Sequence, residues 1–71
     1  MNKTTNKAID IIKIYANKAE LSIILTDIKN GCVIAAVNRI WSISEISYKN
    51  CVLLIIQLAK EELNIIIKEK L

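Results

Sequence analysis

Residues 45–71 read EISYKNCVLLIIQLAKEELNIIIKEKL, and their apolar side chains recur every three or four positions. This spacing places them on one side of a helix, because an α-helix turns once in about 3.6 residues. Just upstream, Ser42 and Glu45 have the spacing of a capping box that would begin the helix. The stretch therefore predicts one long helix with a wide apolar face. The centre of that face is formed by Tyr48, Val52, Ile55, Ala59, Leu63 and Ile66.

The first part of the chain predicts a second helix, from about residue 5 to at least residue 20. Its polar positions alternate three and four apart, its opposite face is apolar, and Thr4 or Thr5 would provide the N-cap. Ile24 interrupts the polar line of this helix, as Leu53 interrupts that of the last one. Isolated exposed aliphatic residues are ordinary on protein surfaces. The alternative hypothesis is that Ile24 and Leu53 contact a second subunit or a partner.

The segment 21–41 has two interpretations. Asn30-Gly31 either ends the first helix at about residue 28, because glycine adopts the left-handed conformation at little cost, or forms the turn of a β-hairpin. The β-branched residues on both sides suit strands, whereas the alanine pair at 35 and 36 suits a helix. We favour a short middle helix over residues 32–41. The predicted fold is all-α, a small helical bundle with two long helices and a short middle helix, and the alternative is α-β-β-α.

The size and composition of the chain indicate association. Its 71 residues form one domain at most, residues 1–71, yet 54% of them are hydrophobic and the mean hydropathy is +0.39. A chain this short buries only about 60% of the surface that its unfolded form exposes. We therefore expect part of its apolar surface to be covered by a second copy or by another protein.

The residue types that carry most enzyme chemistry are scarce. There is no histidine, the commonest general base and metal ligand, and the single glycine excludes a phosphate-binding glycine-rich loop. Cys32 and Cys51 are too few for a zinc site and are expected to be buried thiols, with a disulfide as the minority alternative. Glu61 and Glu62 are expected on a solvated helix surface. We expect no catalytic residue, no cofactor and no metal.

Membrane and nucleic-acid roles are both disfavoured by the sequence. The longest nearly apolar run, residues 51–59, is far shorter than a membrane span, and no signal-peptide core is present, so we expect a cytoplasmic protein. The formal charge of +3 is spread among mixed charges instead of forming a basic patch. A dimeric nucleic-acid-binding regulator remains an alternative. Its phosphate contacts would be Lys3, Lys7, Arg39 and Lys49, with Arg39 beside Trp41 to hold a base.

These observations together predict a non-enzymatic protein-interaction module. Abundant Ile, Asn and Lys indicate an AT-rich coding sequence, typical of many bacteria, their phages and some archaeal viruses. We expect the protein to bind and block or regulate a protein partner, as antitoxins and phage or bacterial inhibitors of host defence systems do. If the protein is viral, we expect it in the host cytoplasm. We expect it to act as a homodimer, and a structural assembly subunit is a further alternative. The expected partner-binding residues are Ile24, Arg39, Trp41 and Leu53.

Overall fold

The computed structural model describes residues 7–65 and 67. Within this part of the chain there are four α-helices, one π-helical turn and no strand. The predicted all-α helical bundle is confirmed, and the α-β-β-α alternative is wrong. The elements in order are α1 (Ala8–Tyr15), α2 (Lys18–Lys29), α3 (Val33–Ile43), α4 (Tyr48–Leu58) and the π turn (Ala59–Leu63). The predicted caps at Thr4 and Thr5, the contact at Lys3 and any helix over residues 68–71 lie outside the described residues.

The turn between α2 and α3 follows the helical interpretation of Asn30-Gly31. Gly31 has φ +84°, and a Cβ added there would meet no atom within 4 Å, so the glycine is required by backbone conformation and not by crowding. The Gly31 N–H donates to the Ile28 carbonyl at 3.0 Å, and the Cys32 N–H donates to the Asp27 carbonyl at 2.7 Å. These bonds satisfy carbonyl groups that the end of a helix otherwise leaves without partners.

The predicted first helix is interrupted at Ala16 and Asn17, both of which have extended backbone conformations. Asn17 Oδ1 accepts a hydrogen bond from the Glu20 N–H at 2.8 Å, and Glu20 Oε1 accepts one from the Asn17 N–H at 2.8 Å. This reciprocal pair is a capping box, which begins α2 as a separate helix. The prediction of one continuous helix over residues 5–20 is therefore corrected to two helices.

The interruption changes which side of the chain is buried. Ala8, Ile12 and Ala16 face the core before it, and Leu21, Ile24 and Ile28 face the core after it. Leu21 follows Ala16 by five residues, so in an unbroken helix the two would point about 140° apart. The extended link absorbs this rotation. The expectation that Ile24 is an exposed residue in a polar line is wrong, because its side chain is fully buried.

The last helix begins later than the sequence indicated. Helix α3 continues to Ile43, and Ser42 Oγ donates to the Arg39 carbonyl at 2.8 Å, so Ser42 does not cap the following helix. The N-cap of α4 is Ser47, whose hydroxyl accepts a hydrogen bond from the Asn50 N–H at 3.3 Å. The predicted capping box at Ser42 and Glu45 is therefore wrong.

The helical run that starts with α4 ends at Asn64. This residue has left-handed backbone angles, with φ 54° and ψ 39°, and the Ile65 N–H donates to the Ala59 carbonyl at 3.1 Å across the π turn. A π turn inserts an extra residue into the helical repeat and shifts the side chains that follow. The predicted helix over residues 45–71 is therefore shorter at both ends in the part that the structure describes.

The core lies where α1, α2 and α3 pack around α4 and the π turn. Its buried members are all hydrophobic, and no polar or charged side chain among residues 7–65 and 67 is buried. An interior of this kind is stabilised by the removal of apolar surface from water, at about 25 cal/mol per Å². The buried residues are Ala8, Ile12, Ala16, Leu21, Ile24, Ile28, Ala36, Val37, Ile40, Cys51, Ile55, Leu58 and Ala59.

Candidate interaction surface

An open groove lies along the outer side of α4, bordered by the first half of α1. Its volume is about 590 Å³. Five of the eight residues that line it are aliphatic, and the other three are polar or charged. We call this feature the α1–α4 groove. It is lined by Ala8, Ile11, Asn50, Leu53, Leu54, Ile56, Gln57 and Lys60.

The side chain of Glu61 holds α1 against the end of this groove. Helix α1 has no side-chain cap of its own at Lys7. Instead, Glu61 Oε1 accepts a hydrogen bond from the Ala8 N–H at 2.9 Å, between residues 53 positions apart. Its other oxygen, Oε2, accepts a hydrogen bond from Gln57 Nε2 at 2.9 Å. The prediction that Glu61 is merely solvated is therefore corrected, since this half-buried carboxylate supplies the missing cap and places a negative charge at a helix N-terminus.

Large apolar side chains remain exposed although the chain has a complete core. Leu53, which lines the α1–α4 groove, exposes 55% of its surface, and Ile14 on α1 exposes 73%. Isolated exposed aliphatic residues are ordinary, and among the described residues Leu53 is the exposed large hydrophobic residue that lines the groove. In the described part of the chain, the exposed large hydrophobic residues are Ile14, Tyr15, Ile23, Ile34, Trp41, Tyr48 and Leu53.

The predicted partner-binding residues do not form one site. Leu53 is exposed in the groove, whereas Ile24 is buried in the core and is not available to a partner. Trp41 is 50% exposed and packs edge-on against Tyr48, with ring centroids 5.3 Å apart. Arg39 Nε donates to Asp27 Oδ2 at 3.4 Å, which turns the arginine towards α2. Binding of a partner by Arg39, Trp41 and Leu53 stays a prediction.

Arg39 and Trp41 are also poorly placed to hold a nucleic-acid base together. Residues two positions apart on a helix point about 160° away from each other. Arg39 accordingly reaches Asp27 on α2, while Trp41 packs against Tyr48 at the start of α4. Arg39 and Trp41 therefore lie on different sides of α3, whereas the base-stacking alternative requires them on the same side.

Sequence reasoning missed most of the residues that line the groove. Ile11, Leu54 and Ile56 were not singled out, because each lies beside an apolar face that a single-helix pattern assigns to the core. A signal was present in α1, where the sequence AIDIIKIY has more apolar residues than one buried face can hold. The same excess in residues 52–56, VLLII, leaves Leu53 outside the core on α4.

The two cysteines occupy different environments and neither is in a disulfide. Cys51 is buried, its Sγ donates to the Ile46 carbonyl at 3.6 Å and lies 4.0 Å from Ser44 Oγ. Burial raises the pKa of the Cys51 thiol, and the hydrogen bond with Ser44 opposes that rise. Cys32 is exposed at the start of α3, so the prediction that both thiols are buried is wrong for Cys32.

The described residues contain neither a cluster of metal ligands nor a helix that could span a membrane. Among residues 7–65 and 67, no three His, Cys, Asp or Glu side chains come together in a way that could hold a metal ion. Within the same residues, no helix combines the length and the apolar character needed to cross a membrane. The fold and surface define a small all-α protein with an open apolar groove. Comparison with protein-family models, curated proteins and solved structures found no match to this chain.

Proposed function

We propose that the chain is a non-enzymatic protein-interaction module that binds a protein partner through the α1–α4 groove. The observation that carries this proposal is the exposure of Leu53 among aliphatic neighbours in a groove of about 590 Å³. Apolar grooves between helices commonly receive a helix of another protein. Binding a helix of the partner in this way would block or regulate the partner.

Two features of the fold support this role. The core is closed by residues of the chain itself. Of the groove residues, Ala8 belongs to its buried cluster and Leu54 packs against it, whereas Ile11, Leu53 and Ile56 belong to neither group. Glu61 also connects the start of α1 to the π turn that follows α4, at the end of the groove. A surface that is arranged before binding loses less conformational entropy when the partner docks.

The proposed mode of action is based on the size and composition of the chain. A chain of 71 residues with this apolar excess resembles in size the antitoxins and the phage or bacterial inhibitors that act by occupying a site. Inhibition of a host defence system is one example of such an action. Action as a homodimer is part of the same proposal and is tested separately by the mass of the particle in light scattering.

The proposal is tested by affinity capture with tagged wild-type protein and two variants. Leu53→Glu places a charge in the groove, and Ile34→Glu is the matched control, because Ile34 is 44% exposed on α3 and does not line the groove. We expect a stoichiometric protein partner that survives nuclease, is lost with Leu53→Glu and is kept with Ile34→Glu. Circular dichroism of each variant verifies that the helices are intact.

Two outcomes would contradict the proposal. A partner captured equally by wild type and Leu53→Glu would place binding elsewhere on the chain. Capture that disappears on nuclease treatment would support the nucleic-acid alternative instead. For that alternative, affinity should also fall steeply as the salt concentration rises.

A further inference from the structure

The outer side of α4 carries apolar residues between two positive charges. Lys49, Leu53 and Ile56 follow one another at steps of four and three residues, so they lie along one side of α4, and Lys60 follows Ile56 by four residues in the π turn. We call these four residues the outer stripe. Leu53, Ile56 and Lys60 line the α1–α4 groove. The two lysines are 11 positions apart, about 16 Å along the helix axis, which is about three helical turns.

Among residues 7–65 and 67, neither Lys49 nor Lys60 is in a salt bridge with a carboxylate. Glu61 has both oxygens in hydrogen bonds, one with the Ala8 N–H and one with Gln57 Nε2. On α1, Asp10 points about 100° away from Ile11. Lys7 is exposed and directly precedes the lining residue Ala8. The charged residues that line the groove or adjoin a lining residue in sequence are therefore Lys7, Lys49 and Lys60 against Asp10 and Glu61, an excess of one positive charge.

We infer that the α1–α4 groove binds an amphipathic helix of a protein partner, with carboxylate side chains on both sides of its apolar contact. This inference rests on the proposed function and specifies the chemistry of the partner. The length between Lys49 and Lys60 matches a contact of three helical turns, in which apolar residues at i, i+3, i+4 and i+7 would meet Leu53 and Ile56. Acidic residues before and after that contact would reach the lysines.

A second copy of the chain fits this face less well than an acidic helix does. Two copies related by a two-fold axis contact each other through the same residues. If the α4 helices paired antiparallel about the middle of the outer stripe, Lys49 of one copy would meet Lys60 of the other. A parallel pairing would place each lysine against itself. Both arrangements bring like charges together, which selects against self-association through the groove.

The experiment uses a display library of helical peptides with a constant leucine stripe. Glu, Gln and Lys are varied at the positions that precede and follow the stripe, and selection is made on the full chain at low salt. We expect Glu to be enriched on both sides. The isolated Glu peptide should bind on the order of tenfold more tightly than its Lys counterpart, since two weak surface ion pairs are replaced by two repulsions.

Charge reversal in the protein provides the decisive comparison. In the double variant Lys49→Glu and Lys60→Glu, the preference should invert, so that Lys peptides bind more tightly than Glu peptides. Leu53→Glu should remove binding of both peptides, and Ile34→Glu should leave it unchanged. A urea unfolding curve for each variant establishes that it is folded at the temperature of the assay.

Three outcomes would overturn the inference. Enrichment of Lys or Gln, or a preference that does not respond to charge reversal, would show that the lysines do not select the partner. Absence of any enriched peptide would show that the groove does not bind such helices. A wild-type dimer that Leu53→Glu converts to a monomer would identify a second copy as the occupant. The affinity capture experiment tests the proposed function separately from these outcomes, so the two proposals can fail independently.

Discussion

The hydrogen bond between Glu61 and the Ala8 N–H should be a measurable part of the stability of the fold. Replacing Glu61 by alanine removes the acceptor from the start of α1, where Lys7 provides no side-chain cap. Loss of a helix cap costs about 0.5–2 kcal/mol, and loss of a negative charge near a helix N-terminus costs about 0.3–1 kcal/mol. Because Glu61 is only half-buried, we expect a combined loss of about 1–2 kcal/mol.

That loss is large for a chain of this size. At about 0.05–0.15 kcal/mol per residue, the whole free energy of unfolding of such a domain is about 4–11 kcal/mol. A change of 1 kcal/mol in a small domain lowers the melting temperature by about 4–8 °C. The Glu61→Ala variant should therefore melt several degrees below the wild type. Glu61→Gln should lose less, because an amide oxygen still accepts the hydrogen bond and only the charge is removed.

The measurement is urea unfolding followed by circular dichroism at 222 nm. Glu62→Ala is the matched control, since Glu62 is the adjacent acidic residue and is exposed. Amide hydrogen exchange then locates the effect, and protection should fall first in α1. Equal unfolding free energies for Glu61→Ala and Glu62→Ala, within about 0.3 kcal/mol, would refute the assignment of Glu61 as the cap of α1.

Three further predictions follow from burial and capping. Ile24→Ala should lower the free energy of unfolding by about 2–5 kcal/mol, because it leaves a cavity in the core. Leu53→Ala should change the free energy of unfolding by less than about 0.5 kcal/mol, because Leu53 is exposed. Similar values for the two variants in urea titrations would contradict the burial of Ile24 and the exposure of Leu53. Asn17→Ala should cost about 0.5–2 kcal/mol by removing the cap of α2, and a smaller loss would show that the turn does not depend on it. Because burial raises the pKa of Cys51, its thiol ionises at lower pH in the unfolded chain than in the folded one, so the free energy of unfolding should fall as pH rises above about 8.5. That fall should be smaller in Cys51→Ala, and mass spectrometry should find Cys32 alkylated well before Cys51 under native conditions.

The helical class of the fold could be predicted from periodicity, but most of the helix ends could not. Asn30-Gly31 ends α2 as the helical interpretation requires, because a left-handed glycine serves a helix end as well as it serves a hairpin turn. At the next junction, the sequence SISEIS offers three serines as caps. The hydroxyl of Ser42 bonds back within α3, and Ser47 caps α4. Local hydroxyl chemistry alone does not choose between such neighbours.

The error at Ile24 had a single physical cause. If one helical phase continues through residues 5–28, Ile24 falls among polar positions. The capping box at Asn17 and Glu20 ends that phase, and its N-x-x-E spacing was visible in the sequence. A continuous helix was nevertheless the simpler interpretation, because the polar spacing on both sides of the interruption happens to stay at three and four residues.

The same interruption creates the surface on which the proposed function depends. If residues 8–29 formed one helix, α1 would extend along the axis of α2 and could not turn to lie beside α4. Two extended residues, Ala16 and Asn17, let the chain change direction, and Glu61 then fixes α1 at its other end. It follows that Asn17 and Glu61 act on the groove without lining it. Variants at these two positions should weaken peptide binding in proportion to the protection that α1 loses in hydrogen exchange, whereas Leu53→Glu should abolish binding with α1 still protected. Binding that persists in a variant whose α1 is unprotected would show that α4 alone forms the site.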